Sequence, residues 1–254
     1  MPWSQLFEEV VIQNRNAFKW GKGAAAVICS MVFALGAALA MAQAQPGGNL
    51  PMYGQPGIVR PDDLKKADVA FARQATTKYG SPGAASRVWA AQGWASLRNG
   101  KPELALQEFN QAWLLNSQNY QVFWGFGAVL SQQGRLGEAI EQLEVASRLI
   151  DEPAQKVALL SDLGSVYSEL AVRLPEDKQL DRAQHFISAN RRFTESLEIA
   201  PNYAPSWREW AISLYRQERY SEAWIKAKRA IELKAEPFPA SFLDDLRKKH
   251  PEPK

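Results

Sequence analysis

The amino-acid sequence predicts an all-α protein built as a stack of helix pairs, and three observations carry that prediction. Residues 88–115 ("VWAAQGWASLRNGKPELALQEFNQAWLL") superpose on residues 122–149 ("VFWGFGAVLSQQGRLGEAIEQLEVASRL") at a step of 34. Val88 meets Val122, Gly100 meets Gly134, Ala105 meets Ala139 and Ala112 meets Ala146. Self-similarity at that period is the mark of stacked two-helix units. A small residue recurs in one slot of four successive units, at Gly93, Gly127, Gly164 and Ala211. Gly and Pro punctuate the chain between periodic apolar stretches, where they stop one helix and start the next.

In chain order, the first 44 residues read as a targeting segment. Lys19 and Lys22 precede an uncharged apolar run, residues 24–42, and Ala42-Gln43-Ala44 follows with the small-x-small spacing of a cleavage site. A positive flank, an apolar core and a small exit make a secretory signal. The run is also close to the ~20 residues that span a bilayer, so an uncleaved membrane anchor is the competing reading. Either one places the rest of the chain outside the cytoplasm, in the periplasm if the signal is cleaved and tethered to the inner membrane if it is kept. The single cysteine, Cys29, lies inside this run, which leaves no disulfide framework, zinc cluster or thiol nucleophile for the remainder. Residues 45–60, "QPGGNLPMYGQPGIVR", are rich in Gly and Pro and read as a linker.

A solenoid is expected over residues 61–249. Pro61-Asp62-Asp63 suits a first helical turn, and Leu64, Ala67, Phe71 and Ala75 follow at helical spacing until Gly80 and Pro82. This predicts a capping helix over 61–79. Repeat units are expected at about 86–119, 120–153, 157–203 and 204–237. The third is about 13 residues too long, with "VRLPEDKQLDRAQ" as the excess, and reads as a lengthened helix pair turning near residues 175–178. Phe242, Leu243 and Leu246 give the last segment an apolar face, predicting a second cap over 239–249.

The unit residues resemble the tetratricopeptide repeat. The first unit supplies Trp89, Gln92, Gly93, Ser96, Ala105, Phe109 and Ser117. The second supplies Phe123, Phe126, Gly127, Leu130, Ala139, Leu143 and Asp151. Leu160, Leu163, Gly164, Tyr167, Ala189, Phe193, Ser196 and Pro201 follow in the third. Trp207, Trp210, Ala211, Leu214, Tyr220, Ala223 and Ala230 follow in the fourth. The resemblance covers roughly 86–235. It implies a right-handed superhelix whose concave groove is lined by the first helix of each pair. It also explains the Gly-x-Gly of "FWGFGAV": Gly127 stands where paired helices approach most closely, and Gly125 is assigned to relieving crowding near Trp124. A phosphate-binding loop would need a preceding strand and helix N-terminal amides, and neither is readable.

On that geometry the groove stripe contains Arg87, Ala90, Trp94, Leu97 and Arg98 in the first unit and Gln121, Trp124, Ala128, Ser131 and Gln132 in the second. The third offers a small-residue floor of Ala158, Ser161, Ser165 and Ser168 beside Glu169, and the fourth offers Arg208, Ile212, Tyr215 and Arg216. The expected partner-binding residues are Arg87, Trp94, Arg98, Gln121, Trp124, Gln132, Arg208, Tyr215 and Arg216. Trp, Tyr and Arg are the types enriched at binding hot spots. Ala90, Trp94 and Gly125 stand where the family's chaperone-binding clamp would want polar or basic side chains, which argues against that ligand.

The function read from the sequence is a non-enzymatic protein-interaction adaptor of the bacterial envelope, with a partner segment in the groove and a role in assembly or secretion. Cell-wall glycan binding or a membrane-anchored scaffold is the alternative. No catalytic residue, cofactor or metal is expected. His185 and His250 are far apart, and no metal-ligand or nucleophile motif appears. A net charge of +3, with acids beside each basic cluster, argues against nucleic acid. A membrane partner is expected only if the N-terminal segment is uncleaved.

Overall fold

A computed structural model describes residues 62–253. The expected signal and linker, and Cys29 with them, lie outside the described residues. Within them the chain is a succession of ten helices. Helix α1 (Asp62–Tyr79) is followed by four hairpins and a terminal helix. The hairpins pair α2 (Pro82–Arg98) with α3 (Pro102–Leu115), and α4 (Tyr120–Gln132) with α5 (Leu136–Leu149). Next come α6 (Pro153–Arg173) with α7 (Gln179–Ile199), then α8 (Ala204–Arg216) with α9 (Tyr220–Glu232), and α10 (Phe242–Lys249) ends the series.

Local chemistry sets the boundaries. The Ser81 hydroxyl accepts the Ala84 amide at 3.1 Å and Pro82 follows at the first helical position, so α2 starts with one orphan donor capped and another absent. Asn119 does the same for α4, its side-chain carbonyl accepting the Gln121 amide at 3.1 Å. The hairpin turns after α2 and α4 pass through the left-handed region at Gly100 (φ 68°) and Gly134 (φ 76°), which glycine enters without steric cost. The fourth hairpin makes the same turn at Glu218 (φ 60°), without a glycine.

Packing explains the conserved slot of small residues within the chain. A Cβ at Gly93 would lie 2.6 Å from the Phe109 ring, one at Gly127 2.6 Å from Leu143, and one at Gly164 2.8 Å from the Phe193 ring. Each glycine therefore lets the second helix of its own pair press a large side chain onto the first helix's backbone. Glycine costs about 1 kcal/mol against alanine in a helix, and burial of a whole Leu or Phe side chain, about 1.5–3 kcal/mol, offsets it. Gly125 is corrected. It does not relieve Trp124; its missing side chain makes room for Phe109 of the preceding hairpin, with 2.3 Å between a built Cβ and the Phe109 Cζ.

The third hairpin is longer than those around it. Helices α6 and α7 have 21 residues each, against 13 or 14 in the other paired helices after α3 begins. Seven extra residues carry each helix about 10 Å past its neighbours. The Arg182 guanidinium donates to the Leu174 carbonyl at 2.8 Å and ties off the tip.

One apolar cluster runs from α2 to α6, and a second joins α8, α9 and α10. Between them the seam combines the Phe193–Trp210 ring stack, centroids 6.2 Å apart, with polar contacts. Ser196 and Ser206 hydroxyls meet at 2.7 Å, and Asn190 binds both Gln217 and Trp210. Helix α1 covers the N-terminal end, its Phe71 ring edge-on to Trp89 at 5.4 Å. At the other end α10 buries Phe242 and Leu246. It begins at Phe242, after a turn in which the Phe242 amide donates to the Pro239 carbonyl at 2.9 Å.

Candidate protein-binding face

Helices α2, α4, α6 and α8 carry the predicted groove residues, and the structure divides these into three kinds. Arg87 and Arg98 are exposed on α2, with no ion-pair partner among the described residues. Trp94 and Trp124 are half-buried and touch each other edge to face, with ring centroids 5.6 Å apart. Trp94 also meets Phe109 at 5.5 Å, which fixes its inner edge, while the Trp124 indole N–H donates to the Asp162 carboxylate at 2.9 Å. Aromatic pairs in this geometry contribute about 0.5–1.5 kcal/mol beyond area burial, so both rings are rigid and still partly open to solvent. Gln121 and Gln132 flank them on α4, half-buried.

The remaining predicted residues are committed to the fold. Arg208 is 5% exposed; its Nε and Nη2 donate to the Pro237 carbonyl at 3.1 and 3.0 Å, Nη1 pairs with Glu209, and the guanidinium lies over the Phe238 ring. It is a clasp on the segment entering α10, which corrects its placement as an open anchor. Tyr215 packs against Tyr220 (5.6 Å) and Phe242 (5.5 Å), bracing the same cap. Arg216 reaches Glu169 at 3.0 Å, and Glu169 also holds Arg173 at 2.9 Å, so this ladder joins α6 to α8 and engages both guanidiniums on one carboxylate.

Several stripe residues turn inward. Ala90, Leu97, Ala128 and Ser131 are buried between neighbouring helices. So are Ser161 and Ser168, and half of the expected small-residue floor is therefore a packing surface; Ala158 and Ser165 are half-exposed, and Ser165 donates to the Ser161 carbonyl. The spacing that selects the groove face of an isolated helix cannot separate it from the edge that meets the next hairpin.

Sequence reasoning missed Asp162, the acceptor for Trp124, and Lys226, whose ammonium sits 3.8 Å above the Trp210 ring and 4.9 Å from Trp207. Burial lowers the Lys226 pKa from its ordinary value, and the ring faces supply the attraction that keeps a cation there. Burial, with the Asp162 carboxylate adding to it, pushes the Tyr203 phenol up. The signal for Asp162 was its place two residues before Gly164, the register that Gly125 holds before Gly127.

His185 lies against Tyr167 with ring centroids 6.0 Å apart, and His250 meets Ser221 at 3.2 Å. Among the described residues no group of three or more His, Cys, Asp or Glu is placed to hold a metal ion. No described helix is long and apolar enough to cross a membrane.

No protein-family model matches the chain, and no curated protein matches it. Solved structures do. PilF of Pseudomonas aeruginosa is similar at 19% identity with a TM-score of 0.49, over 73% of this chain and 87% of PilF. MamA is similar at 16% identity with a TM-score of 0.48, over 70% of this chain and 96% of MamA. The chain's own 34-residue step, with a large side chain seated on a glycine in each of its first three hairpins, makes it a stack of tetratricopeptide-type helix hairpins.

Proposed function

We propose that the protein is a non-catalytic adaptor of the bacterial envelope that binds a segment of a partner protein across α2 and α4. The observation carrying this reading is the Trp94–Trp124 pair. Two rigid, half-open indoles lie side by side, flanked on α2 by the free guanidiniums of Arg87 and Arg98. An aromatic anchor prefixed by packing loses little conformational freedom on binding, and Trp and Arg dominate interface energetics. The histidines are used in packing and polar contacts rather than poised as acid or base, which supports a binding role over catalysis. Export rests on the charged flank, apolar run and small-residue exit in residues 19–44.

The test is recovery of partners from an envelope fraction on the immobilised protein, compared with Trp94→Ala and Arg98→Ala. Each substitution is expected to weaken the same partner by about 1–3 kcal/mol, roughly 5- to 150-fold. Retention of every partner by both variants contradicts the reading. N-terminal sequencing of the exported chain tests the signal: a start at residue 45 means cleavage, and an intact start means an anchor.

A further inference from the structure

The first half of the groove wall carries positive charge and no acid. Helix α2, "PGAASRVWAAQGWASLR", has Arg87 and Arg98 as its only charged residues, and α4, "YQVFWGFGAVLSQ", has none. In the second half the arginines are engaged within the fold. Glu169 takes Arg173 and Arg216, and Glu209 with the Pro237 carbonyl takes Arg208. The arginines of this wall with no ion-pair partner among the described residues are therefore the two on α2.

Its placement is regular. Arg87 and Arg98 are eleven residues apart, three helical turns, so they share one face about 16 Å apart along the axis. Trp94 falls between them, seven residues after one and four before the other, and lies on the same stripe. Resting on the adaptor reading above, we infer that the partner segment is acidic: two carboxylates bracket an apolar side chain, each carboxylate meeting one arginine while the apolar group covers Trp94. In an extended segment such acids stand about five residues apart, since each residue spans at most ~3.3–3.6 Å. Bidentate guanidinium–carboxylate pairing beside a desolvated indole gives both orientation and affinity. An internal segment is the fitting form, because Ala90 is buried and Trp94 apolar where a clamp for a chain terminus would place its polar groups.

A random dodecapeptide display library selected on the full-length protein tests this. The expected result is enrichment of Asp or Glu at two positions four to six residues apart around an apolar residue. Binding of the selected peptide should fall at least tenfold in the Arg87→Glu/Arg98→Glu protein. It should also weaken several-fold as salt rises from about 50 to about 300 mM, as screened pairs do. Both arginines are exposed, so this variant and the milder Arg87→Gln/Arg98→Gln are expected to fold, which circular dichroism checks. Selected peptides that are neutral or basic yet lose binding in Trp94→Ala overturn the acidic assignment while keeping the groove reading. Peptides that bind every variant equally overturn both.

Discussion

The Phe109 ring occupies the space that a side chain at Gly125 would need, with 2.3 Å between a Cβ built on Gly125 and the Phe109 Cζ. The same ring lies 2.6 Å from a Cβ built on Gly93. One fully buried phenylalanine is thus held between two glycine backbones, one in its own hairpin and one in the next. The contact sets both the hairpin's closure and its distance to its neighbour.

It follows that Gly125→Ala is destabilising although alanine is the better helix former. The methyl must displace a ring confined on both sides, and overpacking of this kind costs about 1–3 kcal/mol. Gly137 is the control, since a Cβ there meets nothing within 4 Å and it lies within α5. Gly137→Ala is expected to stabilise by up to about 1 kcal/mol. Urea unfolding of the two variants should move the midpoint in opposite directions; a shift of the same sign in both removes the lock from the account of the fold.

The turn after α8 supplies a second test. Glu218 takes φ 60° where the first two hairpins use Gly100 and Gly134. A non-glycine residue pays roughly 1 kcal/mol in the left-handed region. Glu218→Gly is therefore expected to stabilise by up to about 0.6 kcal/mol, after its added unfolded-state freedom is set against the relieved strain. Thermal unfolding would show a rise of a few degrees, and a fall would mean that the Glu218 side chain holds the turn.

Alkaline stability should depend on Tyr167. Burial, then its hydrogen bond to Glu144 at 2.9 Å, pushes its phenol up to about 12 from the ordinary 10. Because the folded value lies above the unfolded one, the phenol's contribution is complete below about pH 10 and is lost as pH climbs toward 12. Between those values the unfolded chain has released a proton that the native protein keeps. Tyr167→Phe removes this slope. Comparing urea midpoints of the two proteins across that window should show the wild type losing its lead, and parallel curves would contradict the assignment.

The seam between the third and fourth hairpins predicts unequal stability along the stack. Asn190 accepts from the Trp210 indole at 2.9 Å and from Gln217 at 3.1 Å, and donates back to Gln217 at 3.0 Å. The apolar clusters on either side are separate. Asn190→Ala leaves the indole N–H without its acceptor, a loss of about 1–3 kcal/mol. In hydrogen exchange, α8, α9 and α10 should open at lower free energy than α4 and α5, and the variant should widen that gap. Uniform protection from α4 to α10 would show the seam to be no weaker than the core.

These cases show which parts of the structure were readable in the sequence. The 34-residue step, the glycine slot and the long third hairpin are local or strictly periodic, so their physics lies in the spacing itself. Trp124 was readable as large and outward, but not as the donor to Asp162, because that bond crosses from one hairpin to the next. The inward turn of Ser161 and Ser168 was hidden for the same reason. Arg87 and Arg98 were legible because they are exposed and take no ion-pair partner among the described residues.

Arg208 gives the sharpest separation between the sequence expectation and the structure. As a groove anchor it would be dispensable to folding. As a clasp, its two N–H groups converge on one carbonyl, Pro237, while a third pairs with Glu209 and its face covers Phe238. Lysine keeps the charge but lacks the planar fork, so Arg208→Lys is expected to lose part of this clasp. Arg208→Ala leaves Glu209 without its guanidinium in a mostly buried setting and should cost about 3–5 kcal/mol. Limited proteolysis would register the change as faster cleavage within residues 233–241, with Arg208→Lys intermediate. If instead both variants resist protease like the wild type and lose only partner binding, Arg208 belongs to the groove after all.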